Sequence, residues 1–408
     1  MKNLKYVLFP AIGSALMLGG MIIREMNAYA ENGGLSLPDK PIQDYQDRLI
    51  DLAFEAASAI PVSPHIKDRS KAQQKVVEAC LELDQPDRAL AYNERIENWR
   101  KGLGYADLAF YRAGRGDAPA MQRFIDLAAP IADQEEDWRR DRIRVRIAQA
   151  YAWLGQIRQA DPFLINSVDS EWIKVESVKA MRCDHESFDD QVQRLDSYVA
   201  QGNFDLALHS LEAYVQLFNR FYGEKEKRSL LEHKIRTAWE AVPVPNRIDM
   251  LEDLADFALE HSDPSKAFEF IDKAQEYMDR YQWRLERRLP LTAKIIRLRH
   301  RAGDSNRAHS DADAAWNLFL KEGEAIVNIW RSAAILPLAE AFQSLKDQDA
   351  ALAVYKRAVE EGVANPNSRP RAEDLSAACC SMALSGCEPD EELWKQIDQI
   401  YKELGQPW

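Results

Sequence analysis

The chain has 408 residues, 46% of them hydrophobic and 29% charged, enough to bury a large core under an ordinary soluble surface. Its net charge of −13, from 53 basic and 66 acidic residues, repels phosphate backbones and argues against nucleic acid as a partner. Five cysteines, an odd number with no C-x-x-C pair, do not read as a disulfide framework, and a chain of this length needs none.

Residues 1–30 read as a targeting segment. Lys2 and Lys5 precede an apolar run over 6–23, and the polar stretch after it ends in Ala28-Tyr29-Ala30, a small-residue pattern that signal peptidase could cut before Glu31. The alternative is an uncleaved anchor, since 18 apolar residues barely span ~30 Å of hydrocarbon. Under either reading the amino-terminal lysines stay in the cytoplasm and the rest is exported, periplasmic or secreted. A membrane is therefore expected as a partner only through residues 1–30, if they are retained. Residues 31–41, with Gly33, Gly34, Pro38 and Pro41, read as a flexible leader.

From residue 42 onward period-2 alternation is absent, and apolar residues recur at three and four. The pattern predicts about 16–19 short helices in an all-α chain. Their breaks share one chemistry: residues 85–87, 116–119, 155–156, 202–203, 262–264, 303–305 and 346–348 combine Gly, Asp, Asn, Ser or Pro. Glycine accepts the left-handed conformation that ends a helix, and Asp, Asn or Ser caps the next one. Residues 42–60 and 391–404 read as amphipathic end caps, and 365–370 is the longest interior loop and the candidate hinge.

Residues 332–363 are the clearest unit. Ile335, Leu338, Ala339 and Phe342 form one helical stripe; after a polar break, Ala351, Leu352, Tyr355, Ala358 and Val359 form a second. Small Ala339, Ala351 and Ala358 allow close helix approach, and bulky Leu338, Phe342 and Tyr355 fill the remaining space. This stretch resembles a tetratricopeptide repeat. Related small-residue positions at 77, 109, 148, 195, 255, 296 and 339 lie mostly further apart than the 34 residues of that family. The longest interval, 195–255, holds an extra helical stretch over 224–241 ended by Val242-Pro243-Val244-Pro245. The resemblance implies an α-solenoid of antiparallel hairpins in a right-handed superhelix over residues 42–386, closed by a capping helix within 387–408. It also implies a concave groove that holds a peptide or another protein.

No phosphate-cradling loop, dinucleotide fingerprint, H-E-x-x-H or G-x-S-x-G motif is present, so neither a cofactor nor a catalytic residue is expected. Cys379, Cys380 and Cys387 could form a local disulfide in an exported chain or simply pack as small residues; no histidine nearby completes a metal site. Cys183-Asp184-His185 reads as structural, because residues two apart on a helix do not face each other. Trp99, Trp153, Trp239, Trp316, Trp330 and Trp394 fall on apolar stripes and read as core rather than sugar platforms. Residues 139–146 carry five arginines beside Trp138, but alternation at two spreads Arg140, Arg142, Arg144 and Arg146 around a helix, as at a solvated helix start.

At the family's groove-facing offsets, one unit presents Asp249, Glu252, Asp256 and Glu260, and the next presents Arg297, His300 and Arg301. Asp256 is expected to face Arg297, and Glu260 to face Arg301. They read either as inter-repeat salt bridges or as a polar groove for a charged peptide. The expected role is a non-catalytic binding scaffold of the cell envelope. An all-α enzyme acting on envelope polysaccharide, or an assembly subunit polymerising through its ends, are the alternatives.

Overall fold

The computed structural model describes residues 39–408. The export segment 1–30, with Ala28 and Ala30, and most of the leader 31–41 lie outside the described residues. Within them the chain is all-helical, and no helix is long and apolar enough to cross a membrane.

The helices follow the predicted breaks. In order they are α1 (Asp44–Ala59), α2 (Val62–Glu82), α3 (Pro86–Asn93), α4 (Arg100–Gly114), α5 (Ala118–Asp133), α6 (Asp137–Trp153) and α7 (Ile157–Leu164). The short α8 (Asp169–Trp172) and α9 (Val175–Met181) precede α10 (Phe188–Val199), α11 (Phe204–Arg220) and α12 (Lys225–Ala238), the last being the extra helix in the long interval. Then come α13 (Val244–Glu260), α14 (Pro264–Arg280), α15 (Leu285–Arg301), α16 (Ser305–Glu322), α17 (Asn328–Ser344), α18 (Gln348–Val363), α19 (Ser368–Ser385) and α20 (Glu391–Lys402).

The same turn closes seven of them. The backbone N–H of Gln85, Asp117, Gln156, Asp263, Asp304, Asp347 and Cys387 donates to the carbonyl five residues back, at 2.8–3.1 Å. This is the six-to-one bond of a helix ending in a left-handed residue. That residue is glycine at 116, 155, 303 and 386, but Asp84, Ser262 and Lys346 elsewhere. In four of these turns the aspartate then caps the next helix, its carboxylate accepting from the N–H of Ala120, Lys266, Arg307 or Ala350.

Alternate helices form a continuous layer. α2 packs on α4, α4 on α6, α6 on α9, α9 on α11, α11 on α13, α13 on α15, α15 on α17 and α17 on α19. α19 then packs on both α1 and α2, so the contacts close into a circuit. The intervening helices α3, α5, α7, α10, α12, α14, α16 and α18 pack mainly on members of this layer, as an outer set does. The core lies between the sets: Leu338, Ala339, Phe342, Ala351, Tyr355 and Ala358 are all buried. So are Trp99 and Trp153, while Trp316, Trp330, Trp239 and Trp394 pack half-buried against it.

Circuit closure changes the reading of the two ends. Residues 42–60 and 391–404 were expected to cover opposite open faces. Instead α1 lies along α19, and α20 packs on α18 and α19 beside it. Arg48 on α1 reaches Asp398 on α20 at 2.7 Å and lies 3.9 Å over the Trp394 ring. The expected hinge is likewise tied down. Asn365 is fully buried, Arg371 donates to its carbonyl at 2.6 Å, and the N–H of Ser368 donates to the carbonyl of Pro407 at 2.8 Å. The three clustered cysteines are buried thiols.

Gly104 on α4 marks a close approach to the end of the outer α3. A Cβ there would collide with the amide of Asn93, whose Nδ2 donates to the carbonyl of Lys101 at 2.9 Å. Gly104→Ala is expected to cost about 1–3 kcal/mol by overpacking, read as a lower urea midpoint with an unchanged slope.

Candidate functional site

The layer helices bury both flanks against neighbours and one face against the outer set. Their remaining stripe is polar, and on α2 it runs Lys71, Lys75, Glu78, Glu82 at helical spacing. Side chains from these stripes bridge one helix to the next and form a polar belt.

On the α13–α15 arc, Lys294 is the central cation, 2.9 Å from Asp249 and 3.0 Å from Glu252. Arg301 donates to Asp256. Arg297 turns the other way and donates to Glu340 on α17 at 3.0 Å. The expected pairing of Asp256 with Arg297 is therefore displaced by one turn: the observed partners 249–294 and 256–301 are both 45 residues apart, against 41 in the expected register. Glu260 lies exposed at the end of α13. His300 bonds locally to the hydroxyl of Ser305 at 3.0 Å and does not join the belt.

Burial raises the carboxylates of this arc. Glu252, 6% exposed, is pushed up to about 8 by burial against the pull of Lys294. Asp253 is also pushed up to about 8, by burial and by Asp249 and Asp256, with Lys294 opposing. Burial pulls the Lys294 ammonium down, but Glu252 and Asp249 outweigh it and leave it above its usual range.

The belt continues on the other side. Glu340 also accepts from Ser381 on α19 at 2.7 Å, and Ser381 meets the buried Tyr355 hydroxyl at 2.9 Å. Glu82 is raised to about 7 by burial and by Glu340; Glu78, one turn earlier, is raised to about 7 by burial and Asp107. Asp107 on α4 accepts from Arg146 on α6 at 2.6 Å, and burial still holds its carboxyl above the usual range.

The arginine-rich start of α6 separates as its alternation predicts. Arg140 bonds Asp141, Arg144 donates to the carbonyl of Pro162, and Arg146 joins the belt. Arg142 and Arg139 flank the Trp138 ring.

Lys294, Asp253, Glu340, Glu78, Glu82 and Asp107 were not singled out from sequence. Glu82 and Glu340 approach one another across α19, far apart in the chain, which no local pattern reveals. An open groove of about 330 Å³ lies elsewhere, along α1 and Tyr401. Three of its four acids are engaged: Asp47 accepts from Arg88, Asp51 from the Tyr92 hydroxyl, and Glu55 from Arg95 at 2.9 Å. Among the described residues no group of His, Cys, Asp and Glu is arranged to hold a metal ion. Comparison with protein-family models and with curated proteins finds no match.

Proposed function

We propose that the chain is a non-catalytic scaffold of the cell envelope that binds a protein or peptide, its hairpins following a tetratricopeptide-like pattern. The observation that carries this reading is the polar belt. It brings acids and cations of successive layer helices onto one surface, and among the described residues it leaves Asp253 and Glu82 with no hydrogen-bond or ion-pair partner. Half-exposed carboxyls of this kind are free to pair with a ligand. The repeated helix-ending turn and the spacing of small residues support the repeat reading. The Lys2, Lys5, apolar run and Ala28-Tyr29-Ala30 pattern supports export.

Crosslinking and pull-down from native envelope, with a tag after Trp408, tests it. A partner captured by the unmodified protein is expected to be lost on Asp249→Lys with Asp256→Lys, circular dichroism being unchanged. Both side chains are at least 40% exposed, so reversal is tolerable to the fold. Retention of every partner would remove the α13–α15 arc from the binding surface.

The enzyme reading retains one supporting observation. Glu78 and Glu82 sit one turn apart, both raised to about 7, the range of a general acid. Recovery of glycan in place of protein would promote it. Polymerisation through free ends is disfavoured, because α1 is already covered by α19.

A further inference from the structure

Arg100, the first residue of α4, lies 4.7 Å over the Trp99 ring. Trp99 is buried and meets Trp138 edge-on, ring centroids 5.2 Å apart. Trp138 is 44% exposed, although an indole is among the side chains that gain most from burial. Arg139 and Arg142 stand 5.5 and 5.3 Å from its ring centre. The Arg100 guanidinium donates to Gln74 on α2, a neutral group, and Lys75, exposed in the next position, makes no ion pair within 4 Å.

These cations crowd one another. Burial pulls Arg100 down to about 10, with Arg142 adding to the effect, and Lys71 is lowered by burial and then by Lys75 and Arg100. Glu373 and Asp68 act on Lys71, and Asp374 on Lys75, but the carboxylates bordering the three arginines are weakly placed to neutralise them. Glu78 is raised to about 7 and accepts from Gln74 at 2.8 Å. Glu171, 3.6 Å from Arg142, is shared with Lys174 at 2.8 Å. Glu135 pairs with Arg139 only at 3.9 Å. An acidic chain thus holds like charges together around a half-exposed indole, at the end of the layer formed by α2, α4 and α6.

We infer that this end of the layer docks an acidic peptide segment, with Trp138 as its apolar anchor and Arg100, Arg142 and Lys75 as donors to its carboxylates. The inference rests on the peptide-binding reading above and places the acidic partner on α2, α4 and α6 rather than on α15. Guanidinium groups suit carboxylates through paired N–H donors, and an adjacent indole adds an apolar contact that a bare anion would not use. A long polyanion such as nucleic acid is disfavoured by the −13 net charge. A short acidic segment senses chiefly the field within a Debye length, ~8–10 Å, where the cations dominate.

Fluorescence anisotropy with dye-labelled hexaglutamate carrying one leucine, on the full chain at about 0.1 M ionic strength, tests the inference. Hexalysine with the same dye and leucine is the control. Hexaglutamate is expected to bind and hexalysine not to bind. Arg100→Gln with Arg142→Gln is expected to weaken binding at least tenfold, about the value of one charge-assisted hydrogen bond. Trp138→Ala, at a half-exposed position, is expected to weaken it several-fold with circular dichroism unchanged, and Arg280→Gln on the outer α14 to leave it unchanged. No binding of hexaglutamate, equal binding of hexalysine, or binding indifferent to Trp138→Ala and to the double arginine variant would each overturn the site. Equally strong competition by inorganic polyphosphate or single-stranded DNA would overturn the peptide assignment in favour of a phosphate site. Loss of hexaglutamate only on Arg297→Gln with Arg301→Gln would move it to α15, ending this inference while leaving the binding-scaffold reading intact.

Discussion

The folded protein is expected to lose stability as pH rises from about 4 to about 8, with the steepest loss between about pH 5 and 7, where the unfolded carboxyls are already ionised and the folded ones still protonated. Glu78 and Glu82 are raised to about 7, and Glu252, Asp253 and Asp374 to about 8, each chiefly by burial. Unfolded carboxyls titrate near ~4. Between these limits the folded chain binds more protons than the unfolded one, so stability falls with rising pH. The contribution is fully present below the unfolded pKa and gone above the folded one. Asp263 and Asp390 behave oppositely. A backbone N–H bond to Asp263, and the Lys356 bond to Asp390, lower their pKa values, so their contribution is lost only as pH falls below the ordinary carboxylate range. From these groups the maximum is therefore expected near about pH 4, at the unfolded carboxyl range. Asp253→Asn isolates one group. Lys294 on α15, Asp249 and Asp256 on α13 and Glu212 on α11 are the charges acting on it. The amide cannot ionise, so the variant should gain about 1–3 kcal/mol over the parent at pH 9 and little at pH 4, after allowing for its partial exposure. Urea unfolding at the two pH values measures the difference. Parallel curves for variant and parent would show that Asp253 is ionised throughout and that solvent reaches it freely.

The helices were legible in the sequence because their stripes and breaks are local. Ala339, Ala351, Ala358 and Tyr355 are as buried as their spacing required, and the Asp caps at 117, 263, 304 and 347 fall where the breaks placed them. The left-handed residue was readable only where it is glycine. Asp84, Ser262 and Lys346 adopt the same conformation with a side chain, held by the same six-to-one bond. The stagger of α13 against α15 was not legible. Aligning small residues 255 and 296 set a spacing of 41, whereas the ion pairs join residues 45 apart, so Lys294 was overlooked and Arg297 given the wrong partner. Circuit closure left no local signal either. It depends on α1 fitting α19, more than 300 residues away, and amphipathic end helices look alike whether they cap open faces or meet one another.

Lys294→Met should be the most disruptive single change in the belt. Among the described residues the ammonium is the one cation within 4 Å of both Asp249 and Glu252, and Glu252 is nearly fully buried. Removing one partner of a buried pair leaves an uncompensated charge, typically at a cost of about 3–5 kcal/mol. That figure applies only while Glu252 stays ionised. Without Lys294 its carboxyl loses the group that opposed burial, so its pKa rises above about 8 and it takes up a proton at neutral pH. The measured loss should therefore be large at pH 9 and shrink to about 1–2 kcal/mol at pH 6, where protonation relieves the penalty. Adding Glu252→Gln to Lys294→Met should recover most of the loss at pH 9, whereas Glu252→Gln alone should be nearly neutral at pH 6. A double-mutant cycle at both pH values separates two origins. A coupling energy that grows with pH means that Lys294 neutralises an acid the fold otherwise keeps protonated. A coupling independent of pH means that the pair is ionised throughout, and the acids of α13 then carry no reserve of charge for an incoming cationic side chain.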